Sequence, residues 1–229
     1  MSEGRQRILG GIRRSLHRGP LGEEQRAALD AHLRNHPRGP VPARGQLDAS
    51  GRVDLFQQMA EEVHATVRRL PDWSGVPAAV AEYLREHNHP TEVRLAPHPD
   101  LTSLDWQDGG SLLNVSQGAG DPDIAVGVSR AFAGVAETGT LILRSGSDSP
   151  TTLNFLPATH IVAVRADEIC GPFEDAWDRL RERLGDGSFP RTVNMITGPS
   201  RTADIEQTLQ LGAHGPMDLH VLVIGDAGG

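Results

Sequence analysis

The chain has 229 residues, 38% of them hydrophobic, and 26 glycines, which suits one α/β domain with an appendage rather than two independent cores. All 22 basic residues are arginines, which excludes the Schiff-base, pyridoxal phosphate and Walker A chemistries that need a lysine amine. The single Cys170 excludes an internal disulfide and a thiolate-ligated cluster or zinc site, and the net charge of −8 is unevenly spread: residues 1–45 hold nine Arg against four acids, a net +5, while the remainder holds 13 Arg against 26 acids, a net −13.

At the amino end Ile8, Leu9, Ile12 and Leu16 recur at helical spacing among Arg5, Arg7, Arg13 and Arg14, predicting a short basic amphipathic helix suited to docking on a protein surface. Pro20, Pro37, Pro40 and Pro42 then break the chain around a polar helix over 23–33, so residues 1–45 read as an extended arm ahead of a domain over 46–229. The arm lacks the aromatic interleaving of a nucleic-acid surface, and the acidic body repels phosphate backbones, so no nucleic-acid partner is expected. No run of about 18 apolar residues and no secretory leader pattern occurs, so no membrane span and a cytoplasmic location are expected.

From Leu47 onward the spacing becomes regular. Val53, Phe56, Ala60 and Val63 mark one helical face, and Val76, Val80, Tyr83 and Leu84 mark another after Ser74 and Pro77. Strands are predicted over 92–95, 111–115, 124–128, 140–143, 160–164, 192–196 and 219–224, with a helix over 173–184. Strands interleaved with helices predict an α/β fold with a largely parallel sheet.

Three loop segments beside predicted strands carry candidate chemistry, since open α/β sheets gather ligand groups at strand ends. In the first, Glu137, Thr138, Gly139 and Thr140 place one carboxylate and two hydroxyls around a glycine; Glu137 either acts as base or nucleophile, or caps a turn. In the second, Gly198, Ser200, Arg201, Thr202, Asp204 and Glu206 form either an anion site for a carboxylate or phosphate, or the capped start of a helix with Arg201 paired to Asp204. In the third, His214 within Gly212-Ala213-His214-Gly215-Pro216 is either a proton donor or a turn residue. His87, His89 and His98 lie near prolines without a carboxylate cluster and read as loop histidines, so no metal site is expected.

The order Ala136-Glu137-Thr138-Gly139-Thr140, Leu156-Pro157 before His160-Ile161-Val162, Gly198 to Glu206, and Gly212 to Pro216 resembles the lactate-utilization domain family over about residues 50–226. The segment Ser149-Pro150-Thr151-Thr152 departs from it, where many members carry an arginine and serines. The resemblance implies an α/β fold of the type shared by sugar-phosphate isomerases and coenzyme A transferases, a sheet flanked by helices. It also implies a place beside iron–sulfur partner subunits in a system oxidising L-lactate to pyruvate.

With one cysteine, the chain matches a cluster-free subunit, so no cofactor of its own is expected and the iron–sulfur clusters are assigned to its partners. Such a subunit accepts no electrons itself, and no Gly-x-Gly-x-x-Gly follows its first strands to hold a nicotinamide or flavin. The reading is an accessory or substrate-handling subunit, with a small carboxylate or phosphate-bearing ligand and self-association left open. The alternatives are an independent transferase or isomerase using Glu137, and a small-molecule sensor.

Overall fold

The computed structural model describes residues 3–17, 19–107, 112–185, 189–203, 209–211 and 215–226. The chain divides into two units, residues 1–40 and 41–229. The first holds α1 (Glu3–Ser15) and α2 (Glu23–Asn35), and neither buries a residue; Ile8, Leu9, Ile12, Leu29 and Leu33 are all exposed. Within the second unit Gly45 is buried with its backbone against Gly171.

In the second unit the chain runs through α3 (Ala49–Glu62), β1 (Thr66–Leu70), α4 (Val76–Glu86), β2 (Glu92–Leu95), α5 (Pro99–Thr102), β3 (Asn114–Gln117), β4 (Val126–Arg130), β5 (Ala133–Val135) and β6 (Thr140–Arg144). It continues through β7 (Thr159–Arg165), β8 (Ile169–Cys170), α6 (Phe173–Leu184), β9 (Val193–Ile196), β10 (Arg201–Ala203), β11 (Leu209–Leu211) and β12 (Asp218–Ile224). The starts of α3 and α4 follow their local chemistry. Asp48 accepts from Gly51 N at 2.8 Å to satisfy an orphan amide, and Pro77 occupies the first turn of α4, where its missing N–H is not needed.

Six strands form one sheet in the order β1-β12-β7-β4-β2-β3, every pair parallel. Its strands β4, β7 and β12 are buried nearly throughout because both faces are covered, whereas the edge strands β1 and β3 are largely exposed. On one face Val76, Val80, Tyr83 and Leu84 of α4 pack on Val93, Val126, Val128, Ile161 and Leu222. On the other, Phe56 and Ala60 of α3 with Leu141 and Leu143 of β6 pack on Val162, Val164, Val221 and Val223.

A second sheet, ordered β8-β5-β6-β9, thus forms part of the covering layer, and its outer residues Ala133, Val135 and Ile142 are sealed by Ala176 of α6. The expected α/β class with a central parallel sheet flanked by helices holds. The small mixed sheet is an addition, because β5 and β8 are three and two residues long and too short to show periodicity. The alternative of a helix starting near Ser200 does not hold. Arg201–Ala203 is instead a strand in an antiparallel ribbon with Leu209–Leu211, so Ser200 caps nothing. Among the described residues no helix is long and apolar enough to cross a membrane.

Candidate functional site

Described parts of the segments that carry the family resemblance meet around the start of β7 and the end of β9. A 210 Å³ cavity lies beside the starts of β7 and β12 and the end of β9, walled by Phe155, Met195, Ile196, Pro199, Pro216 and Leu219, with Asn154, His160, Thr197 and Ser200 as its polar groups. These come from three stretches, 154–160, 195–200 and 215–219, that the parallel crossovers bring side by side. An apolar wall with a few placed polar groups is the usual constitution of a small-molecule site.

Two glycines shape its surroundings. Gly198 has φ +73°, and a Cβ there would stand 2.5 Å from the Val63 carbonyl oxygen, so only glycine lets this turn lie against the end of α3. The same carbonyl accepts from Arg201 Nη2 at 3.0 Å, and Ser200 N donates to Pro216 O at 2.8 Å. Gly139, at φ +64°, packs equally tightly on Met59 and Ala60 of α3. Its flanking threonines form a hydroxyl ladder: Thr138 Oγ1 to Thr140 Oγ1 and Thr140 Oγ1 to Thr197 Oγ1 are each 2.7 Å. The Thr-Gly-Thr turn and the Gly198 turn, distant in sequence, are therefore one hydrogen-bonded unit.

The polar centre of the cavity wall is His160, a fully buried imidazole on β7 opposite Gly127 of β4. Its Nε2 lies 3.0 Å from Ser129 Oγ, and Ser129 Oγ donates to Asn154 Oδ1 at 3.4 Å. Which of Nε2 and Ser129 Oγ donates to the other follows the imidazole tautomer, and Nδ1 of His160 has no hydrogen-bond partner among the described residues. Burial pushes the imidazole pKa down to about 3, so the ring is neutral at physiological pH.

The residues singled out in the sequence divide into groups. Thr138, Gly139 and Thr140 join Gly198 through Thr197, and Gly198 and Ser200 line the cavity. Arg201 is exposed and turned to the Val63 carbonyl, and Thr202 lies on β10 opposite Gln210. Asp204, Glu206 and His214 lie outside the described residues.

Glu137 is buried and faces elsewhere. Its Oε1 accepts from Phe173 N at 2.9 Å, capping the amino end of α6, where the helix dipole favours a negative charge; its Oε2 has no partner. Glu137 lines none of the described cavities. Sequence reasoning named neither Ser129, Asn154 nor His160 as site residues. The available signal was a histidine heading an otherwise apolar buried strand, since a polar side chain there needs partners.

Comparison with known proteins agrees with the motif pattern. Residues 122–224 match the LUD domain family, and that segment contains every group named in the cavity. Over 102 residues the chain is 41% identical to the uncharacterized protein NMB1437 of Neisseria meningitidis, covering 44% of this chain and 43% of that one. Over the same length it is 35% identical to lactate utilization protein C of Bacillus subtilis, covering 44% and 42%. A third alignment, to lactate utilization protein C of Macrococcus caseolyticus, is 33% identical over 128 residues and covers 56% and 53%. The matches thus span about half the length of these curated relatives. A crystal structure of a DUF162 family protein from Deinococcus radiodurans shares the fold, with a TM-score of 0.60 at 20% identity over 78% of this chain and 99% of that one.

Proposed function

We propose that this chain is a cluster-free, substrate-handling subunit of a cytoplasmic system that oxidises L-lactate to pyruvate, with the iron–sulfur clusters held by partner subunits. The LUD domain match and the relatives named lactate utilization protein C support a role in lactate use. The observation that carries the assignment to a site is the convergence of the stretches 154–160, 195–200 and 215–219 on one small cavity, with the buried, neutral His160 in its wall.

Within this reading the chain transfers no electrons. Cys170 is its sole thiol, is buried, and has its pKa raised by burial to about 11, so it is a poor nucleophile and a poor ligand at neutral pH. The reading is tested by deleting the gene in its host and complementing with native and His160→Phe chains on L-lactate as sole carbon source. Loss of growth rescued only by the native chain is expected. Growth unaffected by the deletion would overturn the assignment to lactate use, and full rescue by His160→Phe would overturn the role of the cavity. An independent transferase or isomerase built on Glu137 gains support from its unpartnered Oε2, yet its other oxygen is engaged by α6 and no described cavity adjoins it.

A further inference from the structure

The opposite end of the parallel sheet carries a second cavity unrelated to the motif segments. From β2 the chain steps outward to β3, whereas from β4 it steps the other way, to β7 and then β12. The carboxyl ends of β2 and β4 therefore flank the point where the strand order reverses, the place where open α/β sheets leave a crevice for ligands. A 550 Å³ crevice opens there, taking His98 and Asp100 from the segment after β2, Arg130 from the end of β4 and Glu168 from the segment after β7. Arg144 at the end of β6 and Arg179 and Arg183 of α6, together with Asp148 and Glu182, complete the rim.

The floor of the crevice is an ion-pair network. Arg130, only 8% exposed, donates from Nε to Asp100 at 3.1 Å, pairs through Nη2 with Glu168 at 2.5 Å, donates to the Ala131 carbonyl, and lies 5.7 Å from the centre of the Trp73 ring. Glu168 is shared with Arg179 at 3.1 Å, and the Arg179 guanidinium lies 6.0 Å from the centre of the Phe132 ring. The acids at the floor are thus already engaged.

The rim is different. Arg144 gives one nitrogen to Asp148 at 2.9 Å, leaving most of its five N–H donors for other partners. His98 uses Nδ1 to accept from Asp100 N, and burial lowers its pKa, so it presents a neutral ring beside the arginines. Guanidinium forks match the planar or tetrahedral oxygens of carboxylates and phosphates, and a volume of this order accommodates a ligand larger than the 210 Å³ cavity admits.

We propose that this switch-point crevice is a second binding site, taking the oxyanion group of a small molecule through Arg144, Arg179 and Arg183 above the fixed Arg130 floor. The inference is independent of the lactate reading, which rests on the other end of the sheet. The test is calorimetric titration of the full chain with pyrophosphate and, separately, citrate, at low and high salt. Saturable binding of at least one is expected, weakened tenfold or more in the Arg144→Gln/Arg183→Gln double variant, weakened by salt, and unchanged in an Arg26→Gln control on α2. Preference for pyrophosphate assigns a phosphate-bearing ligand, and preference for citrate assigns a carboxylate-bearing one. No saturable binding of either probe, or binding that the double variant leaves intact, overturns the proposal. Because both substituted side chains lie on the rim, coincident thermal unfolding of variant and native chains separates a lost site from a lost fold.

Discussion

The two ends of the parallel sheet solve the problem of polar groups in opposite ways. At the amino ends the motif cavity is apolar, and its polar groups are neutral: a hydroxyl ladder, an amide and an imidazole whose charge is suppressed by burial. At the carboxyl ends the crevice is charged, and the buried Arg130 guanidinium is met by two carboxylates and a carbonyl. A buried polar group is tolerated either by losing its charge or by being paired, and this chain uses each strategy at one end. The difference separates what each site suits: a small ligand among neutral groups at one, an oxyanion at the other.

The comparison is broken most decisively at Arg130. Arg130→Met leaves Asp100 and Glu168 without their buried partner and should destabilise the fold by about 3–5 kcal/mol, read as a lowered urea midpoint at unchanged slope. An unchanged midpoint would mean that the network does not hold the strand ends together. At Gly198, substitution by alanine puts a side chain into a left-handed backbone and against the Val63 carbonyl, with an expected loss of about 1–3 kcal/mol in the same assay. Stability retained in that variant would show that the turn relaxes away from α3.

Acid titration sharpens the neutral end. The folded pKa of His160 is about 3 against an ordinary 6.5, so its contribution to stability is complete above pH 6.5 and is lost as pH falls towards 3, because only the unfolded state takes up the proton in that window. Between pH 6.5 and 5 the loss from His160 alone should be about 1.5 kcal/mol, and His160→Gln should flatten that part of the stability curve. His220, held down to about 4 chiefly by burial, adds a slope of the same sign that the variant keeps. Superimposable curves for native and variant chains would show that His160 is not buried as a neutral ring. The smallest effect belongs to the rim: Arg144→Gln removes a part-exposed pair with Asp148 and should change stability by less than about 1 kcal/mol, so a larger change would make Arg144 part of the floor.

Much of this fold is legible in sequence because hydrophobic periodicity is a local property. The helix over 173–184 and the strand over 92–95 coincide with α6 and β2, and the two arm helices lie where the apolar spacing and the prolines put them. The 198–206 segment was harder: a glycine followed by hydroxyls suits a helix cap and a ribbon equally, and pairing with 209–211 decided for the ribbon. Glu137 shows the same limit. Its motif marks it as special, but only the position of α6, 36 residues on, turns its carboxylate into a helix cap.

By itself the sequence determined the α/β class, the lack of lysine and of a cysteine ligand set, and the motif segments, since composition and short-range pattern carry all three. The tertiary structure alone decided which of those residues meet. Thr140 finds Thr197, Ser129 finds His160 and Asn154, and Arg130 finds Asp100 and Glu168 across 25 to 57 residues of chain. Such pairings follow strand order, and strand order is set by packing both sheet faces at once, a condition on the whole chain that no local stretch can express.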